Sequence, residues 1–182
     1  MKPAEPLLPG VGRVVFSAAQ IHVRVQELGE QISHDHAGQE LVLVGILKGT
    51  LFFLADLLRC LTIPAILDFL AISRFGPSSE TRGAARLVKD LDLSLDQRHV
   101  LVVEDIVDTG FTLSYLLRTL NTRRPASLKV CVLLNRPRRR MIDLPLNYVG
   151  FEAPDEFVVG YGLQVEERFR QLPYIAVYNS PG

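Results

Sequence analysis

Residues 100–112 read V-L-V-V-E-D-I-V-D-T-G-F-T, an apolar run that meets two adjacent acids, a third acid three residues later, and then a Thr-Gly turn. Val100, Leu101, Val102 and Val103 suit a strand buried on both faces, and Leu113, Leu116, Leu117 and Leu120 follow at helical spacing. The acids and the turn therefore stand at the carboxyl end of a strand, where open α/β sheets bind ligands. At the start of the helix the N–H groups of Thr109, Gly110, Phe111 and Thr112 lack intrahelical acceptors and favour a phosphate dianion. The Thr109 and Thr112 hydroxyls add donors, and Gly110 lets a ligand approach the backbone. Three carboxylates would repel bare phosphate, so Glu104 and Asp105 call for sugar hydroxyls or a Mg²⁺ carried by the ligand. A lone acid before a helix is often only its cap. Glu104, Asp105 and Asp108 together exceed what capping needs.

Outward from this stretch the elements alternate. Ser17 and Gln20 form a capping box ahead of an apolar helical stripe of Ile21, Val25, Leu28 and Ile32. A strand over 41–46 leads through Lys48-Gly49 into an apolar helix over 50–61, and 66–72 supplies the next strand. Strand, helix and strand repeat from 100 to 134, with 128–134 as the last central strand. The pattern predicts an α/β fold, a doubly wound, mostly parallel sheet flanked by helices. After Pro137 only short strands remain, at 147–151, 156–161 and 174–178, too brief for another βαβ layer. Residues 74–86 carry Gly76, Pro77, Ser78, Ser79 and Gly83 and little apolar content, and loops this long inside a compact domain are often lids.

Bulk properties fit a single domain of 182 residues, 48% hydrophobic and 22% charged. Twenty basic and twenty acidic side chains cancel, so no global field draws the chain to nucleic acid or membrane. Cys60 and Cys131 lie in apolar runs without C-x-x-C spacing and read as buried thiols. The N-terminus lacks the basic-then-apolar pattern of a signal peptide, and the expected location is cytoplasmic. His22, His34, His36 and His99 fall outside every site motif.

The stretch Glu104-Asp105-Ile106-Val107-Asp108-Thr109-Gly110 resembles the phosphoribosyl diphosphate (PRPP) motif of type I phosphoribosyltransferases, and its E-D-I-V-D-T-G form resembles the hypoxanthine-guanine members. Leu47-Lys48-Gly49 is similar to that family's pyrophosphate loop, and Lys89-Asp90-Leu91-Asp92 to the segment after its lid. The segments V-G-F-E at 149–152 and F-V-V-G-Y at 157–161 resemble its purine-binding end. The likeness runs from about Leu41 to Arg170. It implies one phosphoribosyltransferase domain over 1–182, with a core over about 13–136 and a small hood formed by 137–182 and the N-terminal lead-in.

The resemblance implies purine salvage: transfer of the 5-phosphoribosyl group from PRPP to N9 of hypoxanthine or guanine, giving IMP or GMP and pyrophosphate. PRPP would set its 5-phosphate on residues 108–112 and its ribose hydroxyls near Glu104 and Asp105, with Mg²⁺ bridging to pyrophosphate. Lys48, the Gly49 N–H and Arg170 would hold the charge that builds on the leaving group, and Asp108 would act as general base toward N7. A cis peptide is expected at Leu47–Lys48. Phe157 would stack on the base, the Val158 carbonyl would face its N1/N2 edge, and the 74–86 loop would exclude water.

Three ligand-facing positions depart from the family pattern. Arg136 stands where a lysine usually bonds the purine 6-oxo group; it still donates, so a 6-oxopurine is favoured over adenine. Gln164 replaces an aspartate near metal and pyrophosphate, which leaves only a weak metal ligand. Arg74-Phe75 replaces the lid's Ser-Tyr pair. These departures define a second reading, a catalytically weak or regulatory protein that binds PRPP or a nucleotide. An NTPase is disfavoured because G-x-x-x-x-G-K-[ST] is missing. Arg136, Arg138, Arg139 and Arg140, with Arg123 and Arg124, read as a solvated edge or a subunit surface rather than a nucleic-acid face. A homo-oligomer, dimer or tetramer, is what the resemblance suggests, and Phe52, Phe53 and Leu57 fit an interface or the core.

Overall fold

A computed structural model describes residues 8–74 and 85–179. The 147–151 strand, expected in the hood, is instead β7 (Tyr148–Glu152) at the margin of the large sheet, which is the main departure from the sequence reading.

That sheet has six strands in the order β4-β3-β2-β5-β6-β7, where β2 is Leu41–Leu47, β3 Ala65–Arg74, β4 Ala85–Lys89, β5 His99–Val107 and β6 Ser127–Asn135. All neighbours are parallel except β4, which runs antiparallel to β3 and pairs Arg74 with Ala85. Phe75 and the centre of the expected lid lie outside the described residues.

Alternation along the strands assigns the helices to faces. Leu41, Leu43, Leu101 and Val103 pack with α1 (Ala18–Asp35) and α2 (Leu51–Cys60). Val42, Val44, Val100 and Val102 pack with Leu113, Leu116 and Leu120 of α3 (Phe111–Asn121). The sheet is thus covered on both faces, as parallel strands require. In α1 the predicted capping box forms, with Ser17 Oγ accepting from Gln20 N and Gln20 Oε1 accepting from Ser17 N. Ile21, Val25, Leu28 and Ile32 are all buried beneath it. Each such side chain contributes about 1.5–3 kcal/mol, and truncating Leu28 to alanine would cost about 2–5 kcal/mol.

A second, smaller sheet is three-stranded and antiparallel, β1-β9-β8, with β1 at Val11–Phe16, β8 at Val158–Val159 and β9 at Ile175–Tyr178. Residues 13–16 thus lie in the small sheet through β1, and 148–152 in the large sheet through β7. The reason is that adjacent Tyr148 and Val149 pack toward opposite core clusters, as on a strand covered from both sides. Arg24 of α1 clamps β7: its Nη2 donates to the Val149 carbonyl at 2.7 Å and its Nε to the Gly150 carbonyl at 2.9 Å.

Phe53 and Leu57 are core residues, whereas Phe52 is exposed. Cys131 is buried as expected, but Cys60 is only half-buried. Among the described residues no helix is long and apolar enough to cross a membrane.

Candidate active site

The chain leaves β2 to one side, into β3, and continues from β5 to the other, into β6 and β7. The carboxyl ends of β2 and β5 therefore flank the point where strand order reverses, the place where doubly wound sheets open a crevice for ligands. The two motifs singled out in the sequence lie there. Glu104 and Asp105 are themselves the last part of β5 rather than a loop after it.

The Leu47–Lys48 peptide after β2 is cis, as expected. Gly49 then lies so close to Asp105 that a side-chain carbon on Gly49 would collide with Asp105 Oδ2. Asp105 Oδ1 accepts from the Ile106 N–H at 2.7 Å. Buried Thr50, which opens α2, donates from Oγ1 to the Val103 carbonyl at 3.4 Å. The β2 loop is thus seated on the end of β5.

The turn after β5 faces one way because its carbonyls are engaged behind it. Val107 O accepts from Arg136 N at 3.0 Å, Thr109 O from Met141 N and Ile142 N at 3.0 and 3.2 Å, and Gly110 O from Ser114 N at 2.9 Å. Arg140 Nε donates to Asp108 O at 3.2 Å. In a trans peptide the N–H points opposite to its carbonyl, so the amides of Asp108, Thr109, Gly110 and Phe111 turn toward the open side. Gly110, the N-cap of α3, has φ +90°, and a side chain there would press on Leu144 and Arg140 at 3.1–3.2 Å. Thr112 follows in the first turn of α3, while Phe111 is exposed.

Asp108 sits between two guanidinium groups. Its Oδ2 lies 3.6 Å from Arg139 Nη1 and 4.0 Å from Arg136 Nη1. Its Oδ1 is buried without a hydrogen-bond partner among the described residues. Arg136 is only 6% exposed and donates from Nη2 to the Glu156 carbonyl at 2.7 Å. Burial pushes its pKa below the usual arginine value, and Asp108 opposes that shift. The run of arginines divides: Arg138 stays solvated beside Asp155, whereas buried Arg136 and half-exposed Arg139 approach Asp108, and Arg140 ties the turn from behind through Asp108 O and Asn135 Oδ1. The sequence reading gave Arg139 and Arg140 no site role. Their spacing after Arg136 was the available signal, since a short 3₁₀ turn at Pro137–Arg139 folds them back.

Phe157, at the hood end, is half-exposed, meets Tyr178 edge-on, and accepts from Tyr178 N through its carbonyl at 2.8 Å. Val158 is buried in β8. Lys48 Nζ reaches Glu167 Oε2 at 3.1 Å, and Arg170 donates from Nη1 to the Gly162 carbonyl at 2.6 Å. Gln164 Oε1 accepts from Glu167 N at 2.6 Å and closes a turn. Arg74 ends β3, at the base of the expected lid.

A model of the phosphoribosyl transferase domain matches residues 17–166, a span that includes both loops at the crevice. The chain belongs to the phosphoribosyl transferase domain family. A hypoxanthine-guanine phosphoribosyltransferase from Mycobacterium avium is 46% identical over 182 residues, covering 95% of this chain and 90% of the relative. Among solved structures, a hypoxanthine-guanine phosphoribosyltransferase from Bacillus anthracis superposes with a TM-score of 0.89 at 41% identity, over 93% of this chain and 99% of that one. A Trypanosoma cruzi hypoxanthine phosphoribosyl transferase superposes with a TM-score of 0.89 at 35% identity, covering 96% and 94%. The match takes in the carboxyl ends of β2 and β5, where the Lys48-Gly49 and Asp108–Phe111 segments lie.

Proposed function

We propose that this chain is a cytoplasmic purine-salvage phosphoribosyltransferase that moves the 5-phosphoribosyl group of PRPP to N9 of hypoxanthine or guanine. The observation that carries the reading is the contact of Gly49 with Asp105, which seats Lys48-Gly49 beside a turn whose amides face the crevice. One ligand with a phosphate at one end, a sugar between and a pyrophosphate at the other would use all of these groups together.

The 5-phosphate is bound by the amides of residues 108–112 and the hydroxyls of Thr109 and Thr112. Glu104 and Asp105 orient the ribose hydroxyls. Negative charge accumulates on pyrophosphate as its bond to the ribosyl carbon breaks, and Lys48, the Gly49 N–H and Arg170 stabilise it. Asp108 accepts the N7 proton as N9 attacks, with Arg136 and Arg139 holding the carboxylate in place. Arg136 donates to a 6-oxo group, which disfavours adenine, and Phe157 covers the ring while the Val158 carbonyl meets the N1/N2 edge. Arg74 and Phe75 belong to the segment that would exclude water.

Mg²⁺ suits the donors present. Among the described residues no three His, Cys, Asp or Glu side chains gather to hold a metal. Mg²⁺ is commonly held by one or two carboxylates plus ligand oxygens, and Glu104 and Asp105 provide that pair. When bound, the ion would neutralise charge on the pyrophosphate. Gln164 is at most a weak contributor, since its oxygen is engaged by Glu167 N. We read the whole chain as a single domain that assembles as a homo-oligomer.

The test is a spectrophotometric assay with PRPP and Mg²⁺ against hypoxanthine, guanine, xanthine and adenine. Turnover of hypoxanthine or guanine is expected. PRPP binding without turnover of any base would instead make the chain a regulatory binder.

A further inference from the structure

Glu167 stands between the two side chains assigned to the leaving group, although it is 119 residues from Lys48 in sequence. Its Oε2 lies 3.1 Å from Lys48 Nζ, and both its oxygens lie 3.3 Å from Arg170 Nη2. The backbone is specialised to hold it there. Glu166 and Glu167 have φ of 50° and 61°, a left-handed conformation that non-glycine residues rarely adopt. The turn is closed by Val165 N to Arg168 O at 3.3 Å and Arg168 N to Val165 O at 2.9 Å, and Gln164 Oε1 takes the Glu167 N–H. Lys48 first, then Arg170, holds the Glu167 carboxyl below the usual glutamate range, so it is an anion at neutral pH.

These ion pairs contribute little to folding, because Lys48 and Glu167 expose 69% and 62% of their side chains. They do decide what the two cations meet when no ligand is bound. We propose that Glu167 is an internal anion that occupies Lys48 and Arg170 until pyrophosphate displaces it, so that the site selects a diphosphate over a single phosphate. This rests on the reading of Lys48 and Arg170 as the pyrophosphate site. A tethered carboxylate competes at high effective concentration. Pyrophosphate, with its greater charge and two linked phosphates, overcomes it more readily than orthophosphate does, and the returning carboxylate helps expel the product.

Titration calorimetry with inorganic pyrophosphate and with orthophosphate, both with Mg²⁺ present, tests this on the full chain, on Glu167→Gln and on Glu166→Gln. The last removes the same charge one residue away, from a carboxylate that makes no ion pair among the described residues. Glu167→Gln should bind pyrophosphate about two- to fivefold more tightly, as loss of an exposed ion pair allows. Orthophosphate should gain more than pyrophosphate does, narrowing the preference, and Glu166→Gln should show a clearly smaller effect; an unchanged preference overturns the selectivity. Equal or weaker pyrophosphate binding by Glu167→Gln, or an equal gain in Glu166→Gln, overturns the inference while leaving the site reading intact. Failure of the unaltered chain to bind pyrophosphate overturns both.

Discussion

Gly162 lies directly against the Gly49 carbonyl oxygen, so close that a side chain at position 162 would occupy the same space. This contact couples the loop before Arg170 to the loop that carries Lys48. Gly162 also has φ +99°, so alanine there is doubly disfavoured, by backbone strain and by collision with main chain that has no side chain to swing aside. Gly162→Ala should lose about 2 kcal/mol or more in a denaturant titration, and the PRPP KM should rise because the collision moves Gly49. A normal KM in the destabilised variant would show that the two loops are not coupled.

Replacing Asp108 with asparagine keeps the shape of the turn but removes the proton acceptor. The expected result is a fall in kcat of about 10²- to 10⁴-fold, the usual contribution of a general base, with PRPP affinity little changed. Single-turnover kinetics and PRPP titration on the same preparation separate the two effects. Loss of PRPP binding without loss of the chemical step would place Asp108 in phosphate binding instead.

Arg136 is held by the Glu156 carbonyl and faces Asp108, so two roles are combined in one buried side chain. Arg136→Ala should lower kcat/KM for hypoxanthine roughly 10- to 100-fold, the equivalent of losing a hydrogen bond from a charged donor. Arg136→Lys should recover much of that loss and retain the preference over adenine. A steady-state comparison of hypoxanthine and adenine across the three proteins decides the point, and an unchanged ratio in Arg136→Ala would remove the residue from base selection.

Asp68 of β3 fastens the segment that follows β4. Burial alone would raise its carboxyl, but the N–H groups of Phe69, Asp92 and Leu93, with Lys89 nearby, outweigh burial and hold it below the usual aspartate value. Because the folded value lies below the unfolded one, this stabilisation is present above the unfolded value of roughly pH 4 and is lost as pH falls through the folded value. Asp68→Asn should cost about 1–3 kcal/mol at pH 7, and the gap between the two proteins should narrow as urea titrations are carried from about pH 5 to about pH 3. A gap that stays constant would mean that the carboxylate charge does not matter.

The parts of this molecule legible in the sequence were those encoded locally. The strand-turn-helix at 100–120 combines a run of valines, a change of period and a Thr-Gly turn within one short window, and the capping box of Ser17 and Gln20 spans a single helical turn. β7 was misplaced because its partner is chosen by pairing at a distance: Cys131 meets Tyr148 across an intervening segment with no α-helix. β1 pairs with β9 from the far end of the chain, a partner invisible to local periodicity. The arginines after Pro137 read as solvated charge because no acidic partner stands close to them in the motif, and Arg138 is indeed solvated. Arg138 and Arg139 reach Asp155, while Arg139 and Arg140 also reach Asp108 in the turn after β5, brought alongside when Val107 aligns with Asn135.

The Arg24 bonds to Val149 and Gly150 bear on how the protein behaves when crowded. The margin of a sheet ordinarily offers a row of acceptors on which a strand from another chain can assemble. On β7 the Val149 and Gly150 carbonyls already accept from a charged group of the molecule's own first helix, which a strand docking at that margin would disturb. A shorter or apolar side chain at position 24 is therefore expected to favour association of concentrated protein through this margin, which light scattering on Arg24→Ala would show.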